Sequence, residues 1–146
     1  MRRPALPGIV LGPWSALAEQ ASAIRFKVFV DEQRVPRDME LDEFDALSCH
    51  ALARIGEQAV GTGRLLPDGH IGRMAVLEPW RGRGVGAALL EALIGEARRL
   101  GMPILALNAQ THALGFYARF GFVPKGPQFD EAGLPHQAME KHLTDA

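Results

Sequence analysis

The stretch Arg81-Gly82-Arg83-Gly84-Val85-Gly86 runs directly into Ala87-Ala88-Leu89-Leu90-Glu91-Ala92-Leu93-Ile94. A glycine-rich turn feeding an amphipathic helix is an anion site. The first N–H groups of a helix have no intrahelical partner, and the helix dipole adds partial positive charge there. Glycines let a phosphate approach the bare backbone. Arg81 and Arg83 add forked, permanently charged guanidinium groups. A diphosphate suits such a turn without further apparatus. Val85, Leu89, Leu93, Ala97 and Leu100 then recur at helical spacing and predict one buried face. Arg98 and Arg99 suit the negative end of the dipole, Gly101 the C′ position, and Pro103 prevents continuation.

The rest of the chain reads as alternating strands and helices. Gly8 to Leu11 is a short strand ended by Gly12-Pro13. Ser15 is the expected N-cap of a helix over about 15–32, with Leu17, Ala21, Ile24 and Val28 on its apolar face. An acidic, irregular stretch follows, from Asp31 to Asp45. Cys49 to Ile55 and Ala59 to Leu66 form a hairpin about Gly56-Glu57-Gln58, and Ile71 to Leu77 is the next strand. After the helix, Ile104 to Asn108 reads as a strand buried on both faces. A second helix runs from Ala109 or Gln110 to Phe120. Phe122-Val123 and Gln137 to Leu143 are the last strands. The order is β-α-β-β-β-α-β-α-β-β, with no internal repeat or linker.

The chain has 146 residues, enough for one domain with a hydrophobic core. Its net charge of −1 gives no electrostatic case for nucleic acid or a membrane surface. Cys49 is the single cysteine, and no Cys/His cluster has zinc spacing, so no metal is expected. Arg2 and Arg3 precede no apolar segment suited to export. No apolar run approaches the roughly 20 residues of a membrane span. These readings predict a cytoplasmic protein.

Three phosphate-binding classes compete for the glycine turn. A P-loop needs Lys-Ser or Lys-Thr after its glycines, and Ala87-Ala88 stand there instead. A dinucleotide fingerprint needs Gly-x-Gly-x-x-Gly; from Gly84 the last position is Leu89. The third class fits. Arg81-x-x-Gly84-x-Gly86, between the fourth strand and its helix, resembles the signature of the GNAT superfamily of N-acetyltransferases. A second block, Leu107-Asn108-Ala109-Gln110 with Ala113, Phe116-Tyr117 and Gly121-Phe122, also matches. Val28-Phe29-Val30-x-Glu32-Gln33, Glu40-x-Asp42 and Phe129-x-Glu131-Ala132-Gly133-x-Pro135-His136 resemble the small bacterial YjcF-like or ElaA-like branch.

The resemblance implies an α/β GNAT fold over residues 1–146, with a mixed, splayed sheet and helices on both faces. It implies acetyl-CoA as acyl donor. Backbone N–H groups of Arg83, Gly84, Val85, Gly86 and Ala87 would hold the pyrophosphate, with Gly82 in the same turn. The strand edge at Met74, Ala75 and Val76 would pair with the pantetheine arm, Asn108 would lie beside it, and Phe116 and Tyr117 would flank the thioester. The implied reaction is direct attack of an amine on the thioester carbonyl.

Such a reaction needs an acid for the departing thiolate and a base for the amine. Tyr117, the only tyrosine, is the acid candidate, because a phenol with pKa about 10 stays protonated at neutral pH. Ile71 to Val76 carries no carboxylate, so the base is sought among the histidines, whose pKa lies near neutrality. His136 is the first choice and His50 the second, while an ordering hydrogen bond is the plainer role for each. Asp31, Glu32, Asp38, Glu40, Asp42, Glu43 and Asp45 form an acidic segment opposed by Asp130 and Glu131, so a cationic amine on a small molecule or a peptide is the expected acceptor. Glu32 and Glu40 are its expected ligands. A homodimer is compatible with this reading. The rival reading is an acyl-CoA-binding regulatory or partner module with little turnover.

Overall fold

The computed structural model describes residues 7–143; Arg2 and Arg3 lie outside the described residues. Strands β1 (Gly8–Pro13), β2 (Cys49–Ile55), β3 (Gln58–Leu65) and β4 (Ile71–Val76) form an antiparallel sheet in that order. β5 (Ile104–Gln110), β6 (Val123–Pro124), β7 (Phe129–Glu131) and β8 (Leu134–His142) form a second, in which β8 pairs with the other three. The two are joined by one parallel bridge, between His70 and Ala106. Beyond it β4 and β5 diverge, and the sheet opens into a V.

Helices cover both faces. Helix α1 (Trp14–Arg25) packs Leu17 and Ile24 against Leu52 and Ala75. Helix α3 (Val85–Arg99) packs Leu89, Leu90 and Leu93 on the opposite face, against Ala51, Ala53 and Val60. Ala51 and Ala53 therefore point away from Leu52, as the two-residue period of a strand requires. Each fully buried Leu contributes about 1.5–3 kcal/mol. The close seat of α3 depends on Gly61, where an added Cβ would stand 2.9 Å from the Leu89 side chain and 3.2 Å from the Ala75 carbonyl oxygen.

Several local expectations are corrected. The first helix begins at Trp14 after Pro13 and has no side-chain cap, so Ser15 does not cap it. From Phe26 to Glu32 it continues as a π-helix, which re-aims its last residues. A one-turn helix, α2 (Arg37–Glu40), lies within the acidic stretch. β5 alternates rather than being buried on both faces: Leu105, Leu107 and Ala109 face the core, while Asn108 is exposed because the sheet has split beside it. β5 also reaches Gln110, so the following helix α4 is only Leu114–Ala118, after a 3-10 turn. Leu100 caps α3 and is half exposed. No helix among the described residues is long and apolar enough to cross a membrane.

Candidate active site

The V between β4 and β5 opens into a cavity of about 790 Å³. Arg81, Val76, Phe116, Tyr117, Asn108 and His136 all line it, although they come from five separate segments.

At one end stands the glycine turn. Gly82 and Gly84 have φ of 76° and 83°, the left-handed region that favours glycine, and Gly84 is the N-cap of α3. No side chain caps this helix, and its first hydrogen bond runs from Ala88 N–H to the Gly84 carbonyl. The N–H groups of Val85, Gly86 and Ala87 thus have no partner within the helix. Nothing lies within 4 Å of where a Cβ would sit on Gly82 or Gly84, so a ligand can approach the backbone closely. Gly86 packs against the Phe116 ring. These features fit a diphosphate. Arg83 lies over the Trp80 ring at 5.1 Å and is exposed. Arg81 is differently placed. Its Nε donates to the Val76 carbonyl at 2.8 Å, and its terminal nitrogen donates to both oxygens of Glu32 at 2.9 and 3.1 Å.

β4 is the free edge of its sheet beyond the His70 bridge. Its register against β3 shifts between Thr62 and Arg64, so the strand bulges at Arg73 and Met74. Arg73 takes φ of 51°, rare for a side chain of its size. Such a bulge re-aims the amides that follow, here those of Met74, Ala75 and Val76.

Tyr117 sits between Phe116 and Phe122, with ring centroids at 5.1 and 6.1 Å, both edge-on. Burial pushes its phenol up to about 12. Its hydroxyl makes no hydrogen bond among the described residues, and the residue lines the cavity. His136 lies across the cavity on β8. Its Nδ1 donates to the Leu134 carbonyl at 2.8 Å, so in the neutral ring Nε2 carries the lone pair. Glu131 is 3.6 Å from that Nε2, and Phe129 stacks on the ring at 6.0 Å.

His50 is elsewhere. It is buried under Trp14, with its Nε2 donating to the Asp45 carbonyl at 2.8 Å, and it does not line the cavity. Burial holds it below the ordinary histidine value despite the neighbouring Asp45. A base for the cleft cannot reach the cleft from there, so the choice of His50 is corrected to an ordering role.

The profile of the acetyltransferase (GNAT) domain matches residues 16–143. The chain belongs to the GNAT acetyltransferase family. It is 39% identical over 127 residues to the uncharacterized N-acetyltransferase YjcF of Bacillus subtilis, covering 84% of this chain and 91% of that one. An acyl-CoA N-acyltransferase from Pseudomonas aeruginosa superposes with a TM-score of 0.84 at 29% identity, covering 93% and 99% of the two chains. Escherichia coli ElaA superposes with a TM-score of 0.84 at 27% identity, covering 94% and 100%. Acyl-CoA-dependent acyl transfer is the activity of this family.

In this GNAT protein the acidic segment has a use that its sequence concealed. Glu40 is 2% exposed, and Arg25 beneath it is 1% exposed. Arg25 Nε meets Glu40 Oε1 at 2.7 Å, and its terminal nitrogens meet Asp45 at 2.7 and 3.2 Å. Arg64 joins Asp42 and Asp45, and Arg73 joins Glu40 and Asp42. Three carboxylates therefore face three guanidinium groups. Burial raises the Glu40 pKa in spite of Arg25. For Asp45 burial acts in the same sense, but Arg25 and Arg64 outweigh it and hold the carboxyl below the ordinary value. Glu40 and Glu32, expected as ammonium ligands, are corrected: each already holds an arginine. Of the opposing pair, Glu131 lines the cavity and Asp130 does not. Nothing in the spacing announced Arg25, Arg64 or Arg73 as their partners, because each lies at least 15 residues from its partner.

Proposed function

We propose that this protein transfers an acetyl group from acetyl-CoA to a primary amine by direct attack. The reading rests on one observation: Tyr117, His136 and the bulged edge of β4 face a single cavity that reaches Arg81, at the start of the glycine turn. Acetyl-CoA supplies an activated thioester carbonyl and a thiolate leaving group.

The chain's own residues supply the rest. The free N–H groups of Gly84 to Ala87 and the dipole of α3 suit the diphosphate. The edge of β4 suits the pantetheine amides, as an added strand would. Amides after the bulge are placed to polarise the carbonyl, usually the larger rate term. His136 Nε2, with Glu131 3.6 Å away, takes the proton of the incoming ammonium. The C–N bond then forms, the C–S bond breaks as Tyr117 gives its proton to the departing sulfur, the excess proton of the acylated nitrogen returns to the Tyr117 phenolate, and His136 releases its proton to solvent. A phenol held near 12 is protonated throughout the neutral range, as an acid must be.

Two measurements test this together. A thermal melt with acetyl-CoA reports binding, and release of free CoA thiol with an amine panel reports transfer. Stabilisation with thiol release supports the proposal. Stabilisation without release from any amine favours the binding-module reading, and no stabilisation removes both.

A further inference from the structure

Gln33, at the end of the π-helix, and Gln110, at the end of β5, face one another across the open V. Gln33 Nε2 donates to Gln110 Oε1 at 3.3 Å, and Gln110 Nε2 returns the bond to Gln33 Oε1 at 2.9 Å. His112 Nε2 lies 2.7 Å from the same Gln110 Oε1. That oxygen can only accept, so Nε2 donates and Nδ1 keeps the ring's lone pair. All three side chains line the cavity shared by Tyr117 and His136. The transfer reaction sketched above uses none of them.

From these contacts we infer that Gln33, Gln110 and His112 form an acceptor subsite for a neutral carboxamide, so the acceptor is an amine that also carries an amide. This rests on the acetyl-transfer reading for the amine half only. Two observations carry the amide half. First, a carboxamide has two N–H groups and two acceptor positions. These bonds leave an N–H on each glutamine, an acceptor position on Gln33 Oε1, and Nδ1 of His112. Both hydrogen-bonding senses are thus offered side by side, and an amide offers both in return. Second, among the described residues the wall carries no carboxylate open to a second ammonium. Glu32 holds Arg81, while Glu40 and Asp42 hold Arg25, Arg64 and Arg73. Glu131 stands at His136, where the reacting amine belongs. A diamine would find one carboxylate and no second. A small molecule bears it as a primary carboxamide with two N–H groups, a peptide backbone as a secondary amide with one; each offers an N–H and a carbonyl oxygen.

The test is calorimetric titration of the CoA-saturated protein with 5-aminopentanamide, 1,5-diaminopentane, pentylamine and the methylamide of Nα-acetyl-lysine. The expected result is that an amide-bearing amine binds about tenfold tighter than the diamine or the alkylamine. Which of the two amide probes shows the gain distinguishes a small molecule from a peptide. Gln33→Leu should remove the gain, and Gln33→Glu should move it to the diamine. Equal binding of all probes, absence of binding, or a gain that survives in Gln33→Leu overturns the inference. A cooperative melt checks each variant; if Gln33→Leu does not fold, the switch in Gln33→Glu decides. Thiol release with the same amines reports separately on acetyl transfer. Amide-selective binding without thiol release keeps the subsite and removes the transfer reading; thiol release without amide selectivity does the reverse.

Discussion

The two ends of the cleft are built by different means. The end that faces the glycine turn is made of backbone: consecutive N–H groups, two glycines with positive φ, and a strand edge. The far end is made of side chains drawn from distant parts of the chain, with Gln33 and Gln110 77 residues apart. Charge differs as well. Arg83 at the turn is exposed and free to meet phosphate, whereas the far wall neutralises its own carboxylates with Arg25, Arg64 and Arg73. An end built on backbone tolerates many sequences so long as glycines hold its shape. An end built on paired side chains fails when one partner is removed.

The largest effect should come from the buried network. Removing one partner of a buried ion pair leaves the other uncompensated, at about 3–5 kcal/mol. Arg25→Ala should lose that much in urea unfolding, a large share of the roughly 5–15 kcal/mol of a typical domain. A loss below about 1 kcal/mol, the range of exposed pairs, would mean that the wall is solvated and the contrast between the ends is false.

Next in size is the catalytic step. Tyr117→Phe should lower kcat by about a hundredfold, the lower part of the range for a positioned acid. Its melt should still respond to acetyl-CoA, because the ring stays between Phe116 and Phe122. An unchanged kcat would take the acid role from Tyr117.

The backbone end is challenged by Gly84→Asp, which puts a negative charge where the diphosphate is proposed to bind. Asp tolerates the left-handed region better than most residues, so the fold should survive. Acetyl-CoA at 100 times its Kd stabilises a native protein by about 2.7 kcal/mol; the variant should show none of it. An undiminished shift would place the diphosphate elsewhere.

Acid should reach the far end first. Asp42 and Asp45 are held below their ordinary value of 3.8 by their arginines, against the opposing effect of burial. The folded state therefore binds fewer protons than the unfolded chain in that window. Their contribution is present above the ordinary value and is lost as pH falls through the lowered values. The melting temperature should fall below about pH 4, and more gently in Asp45→Asn. Equal slopes would remove Asp45 from the acid response. The smallest effect belongs to Arg83→Ala, which should weaken acetyl-CoA two- to fivefold, or about 0.4–1 kcal/mol, as for an exposed charge pair.

Legibility in the sequence follows the same division. Most of the order of elements, the turn and the helix after it are local, and residues a few positions apart announce them; the short β7, in a stretch that reads as a loop, and the one-turn α2 were not legible. Tyr117 and His136 were legible as residue types within blocks that resemble a family. The acidic stretch misled because seven carboxylates in sequence look like a charged wall. Their arginine partners come from α1, β3 and β4, and only folding brings them together. The same holds for His50: its strand was readable, but not the face on which Trp14 and Asp45 cover it. The π-helix and the bulge at Arg73 left no spacing signal, since each is one extra residue accommodated by its neighbours.

By itself, the sequence determined the glycine turn, the helix behind it and the family, because glycine conformation and helical period are properties of adjacent residues. The tertiary structure alone decided where the sheet splits, which carboxylates are neutralised and which amides meet across the gap. Those depend on distances between residues far apart in the chain, and only the packed sheet and helices set them.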